Sequence, residues 1–241
     1  MLEKWSSKWG MKFNPSKCEI LNIARTEPQS NLYELCGEFL KTVESAKYLG
    51  IIISKNLDWY EQVSSVAKKA NCALSLIVRN LHNCSRHTRA LAYTSLVRPK
   101  MEYSACVWDP HQQKDIDTLE RTNRRATRVV YKKSFWDKDV SPTNLLRELQ
   151  WPTLAERRQH QRLTMMYKIS HGLIAIPPTQ LTQPSRQLRG HSKKYKTIRT
   201  SCDIVKNSFY PRTIPQWNTL TEDIVSASSV DSFKAKLLFF S

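Results

Sequence analysis

Glycine is scarce, with five in 241 residues. That argues against a glycine-rich loop of the kind that cradles nucleotide phosphates. The chain contains no Asp-Asp pair. Its six cysteines (18, 36, 72, 84, 106 and 202) are never closer than twelve positions, so no Cys-x-x-Cys pair exists, which argues against a zinc knuckle or ribbon. His82 and His87 stand five apart and the other histidines are isolated, so they lack metal-ligand spacing. No apolar run approaches eighteen residues, and no signal-peptide pattern opens the chain. No Ser-His-Asp or Cys-His arrangement can be read. These absences point to an intracellular protein, nuclear or cytoplasmic, with free thiols, no membrane segment and no small-molecule substrate.

Negative charge is also short. Thirty-eight basic residues face 21 acidic ones, for a formal charge of +17. Such an excess repels itself and favours a polyanionic partner, nucleic acid first. The alternative is an evenly spread solvated surface. Apolar residues make up 40% of the chain, enough for a packed core in one ordinary domain or two small ones.

The pattern divides near residue 60. Before it, Leu2, Trp5 and Trp9 predict a short amphipathic helix ended by Gly10, and its two tryptophans need something to pack on. The chain is therefore expected to begin inside a domain. Phe13-Asn14-Pro15 reads as a turn and Lys17 to Ile23 as a strand. Residues 24–31, with Pro28, read as a loop. Tyr33–Cys36 and Phe39–Val43 flank Gly37-Glu38 like a hairpin. The apolar run Lys47–Ile53, broken by Gly50, reads as a buried strand with a close backbone approach at the glycine.

After it, helices dominate. Val63, Val66, Ala67, Ala70, Ala73, Leu74, Ile77 and Leu81 keep helical spacing, with Lys68, Lys69 and Arg79 opposite. Ser85 is a candidate N-cap. Pro99 is expected to end or kink a helix near Arg98, with a second piece over 101–107. Trp108-Asp109-Pro110-His111 reads as a turn. The next helix places Ile116, Leu119, Ala126 and Val129 on one side and Arg121, Arg124, Arg125, Arg128 and Lys132 on the other. Those cations would stand about 5–6 Å apart. They repel one another unless an anion lies along them, and a phosphate backbone suits the forked guanidinium donors. A solvated face, or pairing with acids elsewhere, is the alternative. Ser141-Pro142 starts another helix, and Thr153–Glu156 has capping-box spacing. The helix it opens carries Arg157, Arg158, His160 and Arg162 near its start, with Gly172 as its C-cap.

Residues 173–203 hold Pro177, Pro178, Pro184 and a basic cluster that includes Arg186, Arg189, Lys193, Lys194, Lys196 and Arg199. This stretch reads as a linker or loop that orders on nucleic acid. The aromatic segment Phe209–Asn218 either packs the tail back or offers a surface for stacking bases. Asp231–Phe240 reads as a closing helix with Phe233 and Leu237 on one side. The remaining acids, among them Asp58, Asp109, Asp115, Asp117, Asp137 and Asp139, sit near turns or helix starts.

Several of these segments together resemble the end of a non-LTR (LINE-type, jockey- or CR1-like) retrotransposon reverse transcriptase. They are Phe13-Asn14-Pro15-Ser16-Lys17-Cys18, Tyr48-Leu49-Gly50, Leu96–Tyr103, Val107–His111, Leu119–Ala126, and Ser208–Ile214 with Trp217-Asn218. The resemblance covers nearly the whole chain. It implies an α+β, mainly α fold. A small antiparallel β element, the end of a polymerase palm with a primer-grip-like hairpin, would occupy residues 1–60. A helical thumb-like bundle would follow over 61–172, and a basic irregular linker and tail over 173–241. It places Lys17 near the incoming nucleotide's phosphates, as general acid or simply as a cation; the residues themselves allow a surface lysine that closes a turn. It places Tyr48 and Gly50 at the primer end, where an ordinary core strand is compatible with the same residues. The implied partners are RNA and RNA–DNA hybrid, gripped by the phosphate backbone through Lys68, Lys69, the Arg121–Lys132 stripe, Arg157, Arg158, Lys193 and Lys194. Gln62, Asn123 and Thr221 depart from the family's usual histidine, glutamine and proline, which puts the subgroup in doubt. The paired aspartates that hold two Mg2+ ions in such polymerases belong to elements expected upstream. No catalytic residue and no cofactor is therefore expected here. The expectation is a 3′ fragment of an element's reading frame that still binds template–primer, against the alternative of an inert helical remnant with no working partner.

Overall fold

The computed structural model describes residues 2–24, 32–133, 141–177, 179, 181–185 and 190–240, without the side chains of Leu2 and Glu3. The readings on Pro28, Asp137, Asp139, Pro178, Arg186 and Arg189 lie outside the described residues. The chain divides into two compact units, residues 1–64 and 65–241.

The first unit opens with α1 (Leu2–Lys8). Trp5 and Trp9, expected to pack, are largely exposed, and Trp5 meets only the tilted ring of Phe13 at 6.3 Å among the ring contacts described. A 3-10 turn over Pro15–Lys17 follows, capped by Asn14 Oδ1, which accepts from the Ser16 amide at 3.1 Å. Strands β1 (Glu19–Leu21), β2 (Glu34–Leu35), β3 (Glu38–Phe39), β4 (Lys41–Val43), β5 (Ser45–Tyr48) and β6 (Ile51–Ser54) form three two-stranded ladders. β2–β3 and β5–β6 are antiparallel hairpins, whereas β1 and β4 run parallel. The β element is therefore mixed.

The Lys47–Ile53 run is not one strand. Leu49 and Gly50, at φ +46° and +88°, are the two central residues of a hairpin turn that pairs Tyr48 with Ile51. Positive φ at both centres is the I′ geometry, whose twist matches that of the flanking strands. The hairpin leaves Tyr48 and Leu49 exposed and buries Ile51. Gln62, 3% exposed, accepts the Ile52 amide at 2.9 Å. Asp58 Oδ1 accepts the Tyr60 amide at 3.2 Å, where α2 (Tyr60–Asn80) begins. The division between units falls within α2, after Ser64.

In the second unit α2 buries Val66, Ala67, Ala70, Leu74 and Ile77, the spacing that the sequence predicts. Ser85 caps α3 (Arg86–Ala92) by accepting the Thr88 amide. A π-helical stretch, Tyr93–Val97, leads into α4 (Arg98–Glu102). Pro99 thus sits in the first turn of α4, where its missing N–H and its ring cost least, and the wide turn precedes it. The helix does not continue over 101–107: Ser104, at φ +51°, redirects the chain into turns.

The remaining helices are α5 (Gln113–Tyr131), α6 (Pro142–Glu148), α7 (Leu154–Ser170), α8 (Asp203–Lys206), α9 (Phe209–Asn218), α10 (Glu222–Val225) and α11 (Val230–Phe240). The capping box of Thr153 and Glu156 opens α7. Gly172 ends it in a Schellman motif: its amide reaches Ile169 O, and that of Leu173 reaches Lys168 O.

The core joins α7, α9 and α11 through Met166, Tyr167, Ile214, Trp217, Phe233 and Leu237. The aromatic segment therefore packs. The stretch expected as a linker is held down in its described part near Tyr195. Asn218 accepts the Tyr195 amide at 3.0 Å and donates to Tyr195 O at 2.7 Å, and Trp217 Nε1 donates to Lys193 O at 2.8 Å. These bonds satisfy backbone groups that no ladder serves. Among the described residues no helix is long and apolar enough to cross a membrane.

Candidate nucleic-acid interface

α5 owes its two faces to helical period. Leu119, Ala126 and Val130 are buried, joined by Thr122, Asn123 and Thr127; Val129, expected inside, is only half-buried. The buried polar residues have partners. Asn123 Oδ1 accepts Tyr93 Oη at 2.7 Å, and Thr122 Oγ1 accepts Asn71 Nδ2 at 3.1 Å. Burial pushes the Tyr93 phenol well above its ordinary range.

Arg121, Arg124, Arg125 and Lys132 are exposed on α5 and at its end, and Arg128 is half-buried. Among the described residues no carboxylate pairs with Arg121, Arg124, Arg125, Lys132, Lys68 or Lys69. Glu120, the acid nearest in sequence, turns away: it accepts the Ala155 amide at 3.0 Å and Asn123 Nδ2 at 3.3 Å. Asn71 ties α2 to the stripe, its Oδ1 accepting Arg125 Nη1 at 3.1 Å. Lys68 and Lys69 lie exposed one turn earlier on α2. Like charges thus line two adjoining helices and face solvent.

Other candidates lie elsewhere. Arg157 makes a forked pair with Glu102, Nη2 to Oε2 at 3.0 Å, and that bond raises the guanidinium's proton affinity further. Arg158 is turned into the core, 1% exposed, with Nε donating to Asp109 Oδ1 at 2.9 Å. Arg162 reaches the other carboxylate oxygen, and Arg212 Nη1 lies 3.2 Å from it. Burial pushes Arg158 and Arg162 down to about 10, so both remain charged at neutral pH. This enclosed cluster locks α7 and α9 to the Trp108–Pro110 turn. Sequence reasoning missed it, yet a signal existed: Arg158 and Arg162 occupy i and i+4 positions between Leu154 and Met166 on the buried side of α7.

Lys193 Nζ approaches His171 Nε2 at 2.6 Å, and Lys194 is half-buried beside Gly190. In the first unit Lys17 is exposed at the end of its 3-10 turn, Tyr48 is exposed, and Gly50 occupies the hairpin turn. Among the described residues no three His, Cys, Asp or Glu side chains could hold a metal ion.

Sequence comparison finds similarity to a protein named as a transposon RNA-directed DNA polymerase. The chain is 24% identical over 200 residues to the probable RNA-directed DNA polymerase from transposon BS of Drosophila melanogaster. The match takes in 80% of this chain but 21% of that protein, so the chain spans about a fifth of the relative's length. No family profile and no solved structure matches the chain.

Proposed function

We propose that this chain is the C-terminal portion of a LINE-type retrotransposon polymerase and that its helical unit, thumb-like in role, holds RNA or an RNA–DNA hybrid by the phosphate backbone. One observation carries the reading: α5 presents Arg121, Arg124, Arg125 and Lys132 to solvent with no carboxylate partner among the described residues. Such a row is self-repelling until phosphates lie along it. Lys68 and Lys69 widen the row, and Lys193 and Lys194 add charge farther along the chain. Shape and phosphate, more than base edges, would be read. Lys17 and the Tyr48–Gly50 turn would serve at the primer end. Binding without catalysis is the activity proposed for these residues.

The test is binding of the purified chain to a labelled RNA–DNA primer–template across a salt series, beside a variant with Arg121, Arg124, Arg125 and Arg128 each changed to Glu. Neutralising five phosphates gives a log–log slope of roughly −4 on a duplex. The variant should bind weakly with a flattened slope. Equal affinity and equal slope for both proteins would reduce the stripe to a solvated face.

A further inference from the structure

A second surface lies in the helical unit, on none of the elements that carry the stripe. A groove of about 660 Å3 runs between the Ser104–Val107 turn, α7 and α11. Val107, Met165 and Leu238 give it an apolar lining, and Val107 and Leu238 remain 59% and 60% exposed. These apolar side chains are thus left open together in one depression rather than scattered singly. Its rim is basic: Lys168 and Lys234 line it, Lys234 with Asp231 at 3.4 Å, while Arg157 is already held by Glu102, and among the described lining residues none is a carboxylate.

We infer that this groove receives an amphipathic α-helix of a partner protein, apolar on the face that enters and acidic on its flanks. Three observations select that occupant. The walls are two helices and a turn, with no strand edge to extend, so an added β-strand has nothing to pair with. No phenylalanine, tyrosine or tryptophan is among the described lining residues, so unstacked bases lack a broad platform there. A second copy of a chain with a formal charge of +17 is opposed by its own charge, whereas acidic flanks are drawn to the rim. A helix that lays i, i+3, i+4 and i+7 apolar anchors into a groove and meets cations at its edges satisfies all three.

The experiment is display selection on the purified full chain from a random library of peptides long enough for about four helical turns. Two variants are measured with the enriched peptides by fluorescence polarisation: Val107→Asp with Leu238→Asp, and Lys168→Glu with Lys234→Glu. The altered side chains are exposed or half-buried, and thermal melts verify that the fold survives. The expected result is enrichment of peptides with helical apolar spacing and acidic flanks, whose affinity falls by about tenfold or more in each variant. The Arg121→Glu, Arg124→Glu, Arg125→Glu variant should bind them as wild type does. No enrichment, enrichment of basic or unpatterned peptides, or affinities indifferent to the groove variants would overturn the inference. So would an oligouridine whose binding the groove substitutions weaken while the stripe substitutions spare it.

Discussion

Replacing Asp109 with asparagine removes a carboxylate that three guanidinium groups share. The side chain is 7% exposed, with Arg158 Nε at 2.9 Å, Arg212 Nη1 at 3.2 Å and Arg162 in contact. Arg158 and Arg162 are 1% and 4% exposed, so water cannot take over the lost charge. Breaking a buried ion pair from one side costs about 3–5 kcal/mol, because the stranded cations keep their desolvation penalty. Burial has already lowered Arg158 and Arg162 to about 10, and with Asp109 in place both are protonated at pH 7. Against a whole-domain stability of about 5–15 kcal/mol the loss is large. It corresponds to a fall in Tm of about 6–20 °C for a unit of this size. Urea unfolding followed by tryptophan emission suits the measurement, since Trp108, next to the substitution, and Trp217 are fully buried. Adding Arg162→Met to Asp109→Asn should recover part of the loss by removing one uncompensated cation. High salt should change little, because buried pairs are weakly screened. A loss under about 1 kcal/mol, within the range of exposed pairs, would refute the account of Asp109 as the hub of the helical unit.

Other outcomes follow from local geometry. Gln150 holds φ +53° after α6, its amide on Arg147 O and the Trp151 amide on Leu146 O. Gln150→Gly should therefore raise the unfolding free energy by about 0.5–1 kcal/mol, read as a higher urea midpoint at constant m; a loss would show that the side chain supports the turn. His160, His171 and His191 are all held below the ordinary histidine value, chiefly by burial. His191 donates Nε2–H to Trp217 O, and Lys193 sits on His171. The unfolded chain takes up protons first as pH falls, so stability should be full above about 6.5 and decline below it, until each folded-state value is passed. Melts between pH 7.5 and 5.5 check the sign, and a rise in Tm on acidification would contradict it.

Local signals were legible wherever the chain announces its own geometry. Ser85, the Thr153–Glu156 pair and Gly172 mark helix ends by short-range hydrogen bonds, and the structure places ends there. The cationic face of α5 follows from helical period alone. What stayed hidden depends on distance or on an unusual residue. Leu49 in a positive-φ turn position breaks the preference for asparagine or aspartate, so the hairpin reads as one apolar strand. The ordering of residues near Tyr195 rests on Asn218, 23 positions away, which no local pattern shows. Arg158 reads as one more surface cation until Asp109, 49 positions back, is seen to hold it. Asn71, the link that ties α2 to Arg125, carries no sequence signal beyond its amide.

The helix that carries the stripe also has a length, and length is information. Arg121 and Lys132 are eleven residues apart, so at about 1.5 Å per residue they stand roughly 16 Å from each other along the axis. Successive phosphates of one B-form DNA strand advance by about 3.4 Å along its axis, and those of a hybrid by a similar step. On the proposed reading α5 is a ruler about five nucleotides long, with Lys132 in a left-handed conformation as its end stop. A shorter hybrid would leave part of the ruler unmatched, so affinity should climb with each added base pair until about the fifth and gain little from the sixth.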